Sequence, residues 1–297
     1  MNFSGICVAL ITPYTENLSI DWQAFEKYVD WMCAQGVQGV VVGGTTGEGM
    51  ALTPKEHQDL TQCAVHVCQK RAHVMAGCAG VTVSQTLALV EGSQKQGAES
   101  ALVVTPPYIK PSQSGLVSYY KEIHAHSSLP LILYNNPSRT CVNLEVSTLF
   151  ELAECERIRG IKDSTPDLSR PLALSELVKE KKWALFSGED STFFPFLASG
   201  GNGIISVAAG LFPHPYIEVL RCINQNDLKQ AREIALSLVS LHQALGQGVN
   251  PCPIKYACHL MGVAHPYMRF PLGSLSQETQ RLIESVVSSC RVGSIAV

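Results

Sequence analysis

Apolar residues along this chain follow two alternating rhythms. Short runs of consecutive apolar and β-branched residues occur at Ile6–Ile11, Val37–Val42, His73–Gly77, Ala101–Val104, Leu131–Tyr134, Ile158–Ile161, Ala184–Phe186 and Gly203–Val207. Between them lie longer stretches with helix signals. A run that is apolar on successive residues suits a strand buried on both faces, where the two-residue alternation is lost. Thr53-Pro-Lys-Glu56 combines an N-cap, a proline at the first helical position and a capping-box glutamate. Thr82 and Gln85 repeat the box spacing, and Asp21 and Asp190 are further N-cap candidates. Eight strand–helix alternations predict a parallel sheet, best satisfied by a closed (β/α)8 TIM barrel. A doubly wound sheet competes, because alternation alone does not establish closure.

The strand rhythm stops after about Cys222. Leu228, Ala231, Ile234, Ala235, Leu238 and Leu241 then form a helical stripe within Asn226–Leu245. Two more helices are expected near Ile254–Met261 and Gln277–Ser288. The predicted organisation is a barrel over residues 1–224 and a C-terminal helical extension over residues 225–297.

Composition narrows the possible functions. The 297 residues carry 22 Lys and Arg against 25 Asp and Glu, a net charge of −3, which is no footprint for nucleic acid. With 46% hydrophobic and 16% charged residues, the chain is too apolar for intrinsic disorder. No stretch approaches the roughly 18 apolar residues of a membrane helix. Ile6–Ile11 lacks the basic flank and small-residue cleavage site of a signal peptide. Eleven cysteines without a C-x-x-C spacing read as small buried hydrophobes in a reducing cytosol. The His124-x-His126 pair has no Cys or carboxylate cluster beside it, so it reads as a surface pair and no metal is expected.

Parallel barrels place their chemistry at the C-terminal ends of the strands. Those ends carry Gly43-Gly-Thr-Thr-Gly-Glu-Gly49, Thr105-Pro-Pro-Tyr108, Tyr134-Asn-Asn-Pro-Ser-Arg-Thr140, Gly160-Ile-Lys-Asp-Ser-Thr165 and Ser187-Gly-Glu-Asp190. Lys162 ends an apolar strand, where burial would favour the neutral amine that imine chemistry requires. The alternative is a lysine paired with Asp163 or turned out at the rim. Tyr134 on the neighbouring strand is a candidate proton shuttle, or simply a buried aromatic with a satisfied hydroxyl. Arg139 offers a planar fork for a carboxylate, or is a solvated loop arginine. Thr45 and Thr46, flanked by glycines, offer hydroxyls and N–H groups to a carboxylate. The glycine loop fits neither G-x-x-x-x-G-K-[ST] nor G-x-G-x-x-G.

Together with Ala9-Leu-Ile-Thr-Pro13 and Asn250-Pro-Cys-Pro-Ile-Lys255, these segments resemble the dihydrodipicolinate synthase / N-acetylneuraminate lyase superfamily over nearly the whole chain. Pro137-Ser-Arg-Thr140 and Thr46 look like the synthase branch. The resemblance implies a barrel with a helical extension, usually a homotetramer. It implies condensation of pyruvate with L-aspartate-4-semialdehyde to 4-hydroxy-tetrahydrodipicolinate, an early step toward diaminopimelate and lysine, with no metal or organic cofactor. By that resemblance Lys162 forms the imine and Tyr134 shuttles protons. Thr46 links Tyr134 to Tyr108, which reaches into the neighbouring subunit. Thr45 and Thr46 hold the pyruvate carboxylate. Arg139 binds the semialdehyde carboxylate and orients Tyr134, and Ile205 presents a backbone carbonyl near the imine.

Two other readings stay open. One is a pyruvate-dependent aldolase splitting a 2-keto-3-deoxy sugar acid or N-acetylneuraminate, which has no need of Arg139. The other is a catalytically silent binding barrel, which need not keep Lys162, Tyr134, Tyr108 and Thr46 together. Lysine-inhibited members carry a polar pocket that matches Gly49, Met50, Pro54, His57, Val81, Gln85 and Pro107 here. Val81, Gln85 and Pro107 replace an asparagine, a glutamate and a tyrosine, so weak or absent inhibition by L-lysine is expected.

Overall fold

Each strand bonds to the next in chain order, and the eighth returns to the first, so the sheet is closed. The structure is a computed structural model that describes residues 4–294; the outermost ends of the two segments predicted from the sequence lie outside them. The strands are β1 (Gly5–Ala9), β2 (Gly39–Val42), β3 (His73–Cys78), β4 (Ser100–Val104), β5 (Leu131–Asn135), β6 (Ile158–Asp163), β7 (Ala184–Ser187) and β8 (Gly203–Ser206). All pair in parallel, and helices cover the outside. The TIM barrel expected from the eight runs is what forms, and closure removes the doubly wound alternative.

The consecutive apolar runs are explained by two cores. Cys7, Ala9, Val41, Met75, Leu102, Ile132, Tyr134, Ala184, Phe186 and Ile205 pack together inside the barrel. Intervening strand residues such as Ile6, Val8, Val40, Val42, Val74 and Ile204 pack outward against the helices. Inside, glycine makes room where strands crowd: a Cβ on Gly160 would lie 2.2 Å from the Ala184 carbonyl oxygen. A register shift opposite Leu131 and Ile132 leaves Arg159 as the extra residue of β6. Beyond that bulge, Gly160 pairs with Ile132 and Lys162 with Tyr134. Lys162 thus shares the barrel interior with Tyr134.

Both capping boxes exist: Thr53 with Glu56 opens the helix Pro54–Cys68, and Thr82 with Gln85 opens Val83–Lys95. Asp21 caps the helix Trp22–Ala34 as expected. Asp190 does not behave as expected. Its carboxylate accepts from the Ser206 hydroxyl and from the N–H groups of Val207 (3.1 Å) and Ala208 (3.0 Å). Those amides are free because β8 ends there, so the carboxylate serves the next strand's exit and not its own helix.

The predicted stripe Asn226–Leu245 is two helices, Leu228–Ser237 and Val239–Leu245, followed by Cys252–Leu260 and Gln277–Ser294. Ala231, Leu241, Ala244, Ile254, Ala257, Ile283 and Val287 belong to the same buried cluster as Ile6, Val8 and Val40 of the barrel wall. The extension therefore shares the barrel's core, which places Asn250 at the barrel mouth.

Candidate active site

A cleft of about 520 Å³ opens at the C-terminal ends of the strands, lined among others by Thr45, Thr46, Tyr134, Arg139, Lys162, Glu189 and Asn250. Lys162, 6% exposed, extends along its floor with Nζ 4.5 Å from the centre of the Tyr134 ring. Gly188 makes this possible: a Cβ there would lie 2.0 Å from Ser164 Oγ and 3.0 Å from Lys162 Cε. Asp163, the counter-ion that sequence offered as an alternative, is taken elsewhere. It receives Arg170 Nε at 2.6 Å, both side chains buried, and the Thr165 N–H at 2.9 Å. Among the described residues no carboxylate lies within ion-pair distance of Lys162.

The Tyr134 hydroxyl accepts from Asn136 Nδ2 at 2.8 Å. Burial pushes this phenol up. The Lys162 ammonium and the Asn136, Ser164 and Thr45 side chains outweigh burial and hold its pKa below the usual tyrosine value. An easily ionised phenol beside a primary amine can both give and take a proton there. Glu189 faces the same space. Burial raises its carboxyl, Lys162 opposes the rise, Asp190 adds to it and Arg139 opposes it. Cys7, inside the barrel, feels Lys162 but is pushed up to about 12 by burial, so it stays a thiol and is no competing nucleophile.

The other candidates fall in part where the sequence put them. Arg139 lies at the rim on the short helix Pro137–Thr140 and donates from Nη2 to the Asn250 carbonyl at 3.1 Å. The hydrogen bond to the phenol comes from Asn136. Thr46 is buried and its hydroxyl accepts from Asn250 Nδ2 at 3.1 Å. The Thr45 side chain helps to lower the Tyr134 phenol, while the Thr46 hydroxyl faces Asn250. A turn presents successive side chains in different directions, and resemblance alone cannot choose between them. Ile205 is fully buried among the interior residues of the barrel. Tyr108 does not join the cluster within one chain: it is 93% exposed, with φ of 75°.

Sequence reasoning gave no role to Asn136, Ser164, Glu189 or Asn250. The first three sit at strand ends, so the strand-end rule reaches them. Asn250 arrives from the extension, 204 residues from Thr46 in sequence, and no local pattern announces that approach. Its Oδ1 is buried without a partner in the cleft wall, free to accept from a bound molecule.

A 4-hydroxy-tetrahydrodipicolinate synthase from Aquifex aeolicus is 38% identical over 288 residues, 96% of this chain and 97% of its own. The solved dihydrodipicolinate synthase of Acinetobacter baumannii, complexed with pyruvate, superposes with a TM-score of 0.94 at 36% identity, covering 97% of this chain and 99% of that one. A structure reported as the first monomeric dihydrodipicolinate synthase variant matches with a TM-score of 0.93 at 32% identity, over 97% of each chain. The model of the dihydrodipicolinate synthetase family matches residues 2–290, and the chain belongs to that family.

Proposed function

We propose that this enzyme condenses pyruvate with L-aspartate-4-semialdehyde to 4-hydroxy-tetrahydrodipicolinate through an imine at Lys162, in the route to diaminopimelate and lysine. The observation that carries this reading is the buried Lys162 side chain, with its Nζ held against the Tyr134 ring. The neutral amine adds to the keto carbon, water leaves, and the imine draws electrons from the neighbouring methyl so that a proton departs. The resulting enamine attacks the aldehyde carbon. The amino group of the second substrate then displaces Lys162 and closes the ring. Tyr134 supplies and collects the protons, Thr45 and Thr46 receive the pyruvate carboxylate, and the Arg139 guanidinium receives the carboxylate of the semialdehyde. Glu189 and the free Asn250 Oδ1 suit that substrate's ammonium. No step calls for a metal or an organic cofactor, since the imine is itself the electron sink.

The assay that tests this reading compares consumption of pyruvate plus semialdehyde with cleavage of 2-keto-3-deoxy sugar acids and N-acetylneuraminate. Turnover of the first pair is expected, with cleavage at least about a hundredfold slower. Preferential sugar-acid cleavage would contradict it.

The second part of the proposal is a shared site in a homo-oligomer, a dimer of dimers. A cavity of about 440 Å³ adjoins the cleft, lined by Tyr134, Arg139, Pro107, Met50 and Phe270 among others. Around it Tyr108, Ile109, Met50 and Phe270 are exposed, a density of bare large side chains that suits burial against a second copy. A Tyr108 ring from that copy would fill the cavity beside Tyr134. Mixing inactive Tyr108→Ala with inactive Lys162→Ala subunits should restore part of the activity; a monomer by sedimentation, or no recovery after subunit exchange, would contradict sharing. Eleven free cysteines support a reducing, cytoplasmic location, and among the described residues no helix is long and apolar enough to cross a membrane.

A further inference from the structure

The turn that presents Thr45 and Thr46 is closed by two backbone hydrogen bonds, Glu48 N to Thr45 O at 3.1 Å and Gly49 N to Gly44 O at 3.0 Å. Glu48 ends it in a left-handed conformation, φ 54°, with its carboxylate turned inward. One oxygen accepts from Lys255 Nζ, and the other accepts from the Arg269 N–H at 3.0 Å. Both side chains of the ion pair are essentially unexposed. Lys255 also donates to the Tyr267 carbonyl at 2.8 Å and lies 4.0 Å from the centre of the Tyr14 ring. Five residues earlier, Asn250 donates to Thr46. One segment of the extension therefore grips the turn at two points, Asn250 and Lys255, and the carbonyl of Asn250 also holds Arg139.

A buried ion pair is a poor stabiliser, because desolvation offsets most of the attraction, but it fixes geometry strictly. Lys255 does not line the cleft. We infer that Lys255 is a positioning residue: paired with Glu48, it holds the Thr45–Thr46 turn where the keto-acid carboxylate binds. The inference rests on the reading of Lys162 and the threonine turn given above. Around the ammonium stand Glu48, Tyr14, the Tyr267 carbonyl and the Cys252 and Cys258 thiols. Arg269, over the same Tyr14 ring, is occupied by Glu56. Burial lowers the Lys255 ammonium to about 8, with Glu48 opposing the drop. The charge on this tie is thus lost within a readily assayed pH range.

Lys255→Met, Glu48→Gln and the double variant test the inference by steady-state kinetics and thermal unfolding. Each single change leaves one charge buried without its counter-charge, held only by the Arg269 N–H or the Tyr267 carbonyl. Pyruvate KM should rise about tenfold or more with kcat changed less than about threefold, and Tm should fall. The double variant removes both charges; it should regain stability yet keep the raised pyruvate KM. A KM that returns to the wild-type value along with Tm would overturn the inference, as would folded single variants with unaltered KM. If the variants do not fold, the wild-type enzyme decides. Between pH 7 and 9.5 the amides of Glu48 and Gly49 should exchange hydrogen increasingly faster than amides in other barrel turns, and parallel exchange would overturn the inference. Failure of pyruvate and borohydride to label Lys162 in the wild-type enzyme would instead mark the underlying reading as wrong.

Discussion

Lys162 and Tyr134 are register partners on adjacent strands of the barrel, and the lysine Nζ lies 4.5 Å from the centre of the tyrosine ring. Their alignment depends on the bulge at Arg159, because without that extra residue the alternation of β6 would turn Lys162 outward. The backbone irregularity is what brings the amine to the phenol.

Tyr134→Phe should lower kcat about 10²–10⁴-fold, the range for loss of a positioned acid–base group. Imine formation with pyruvate should still be detectable by slow trapping. A kcat within about threefold of wild type would remove Tyr134 from proton transfer.

Arg139→Ala should raise KM for the semialdehyde and leave pyruvate trapping at Lys162 nearly unchanged. Loss of a charged hydrogen-bond partner is worth about 1.5–3 kcal/mol, roughly tenfold to a hundredfold in affinity. Loss of pyruvate binding in this variant would contradict the division of roles between Arg139 and the threonine turn.

L-lysine should inhibit weakly or not at all. Gln85 Oε1 is committed to the helix N-terminus, accepting from Val81 N at 3.0 Å and Thr82 N at 3.2 Å. It carries no charge to offer an ammonium, and Val81 and Pro107 add no polar side chain. Half-inhibition below about 1 mM lysine, or −4.1 kcal/mol of binding, would contradict the expectation.

Acid stability has a sign that can be worked out at Glu56. Hydrogen bonds from Arg269 hold its carboxyl at about 2 against the usual 4.5; burial opposes them and Thr53 assists. Between these values the unfolded chain binds more protons than the native one. The stabilisation is therefore complete above pH 4.5 and fades as pH falls toward 2. Glu56→Gln should lower Tm at pH 7 and flatten its dependence on pH between 5 and 3. An equally steep curve in the variant would contradict this pairing.

The barrel was legible in the sequence because each strand carries apolar residues on both faces, and Thr53 and Thr82 mark where helices begin. Lys162, Tyr134, Arg139 and the threonine turn were legible because strand ends are where barrels place chemistry. Three things were not. The break near Leu238 leaves the apolar stripe intact, so periodicity runs through it. The choice between Thr45 and Thr46 depends on side-chain direction within a turn. The ties from Asn250 and Lys255 depend on how the extension folds back, which no local pattern encodes.

Borohydride reduction in the presence of pyruvate, followed by peptide mapping, tests the central claim most directly. A single reduced pyruvate adduct is expected on Lys162, and none should form in Lys162→Ala. No adduct, or one on Lys255 or another lysine, would contradict the imine at the end of β6.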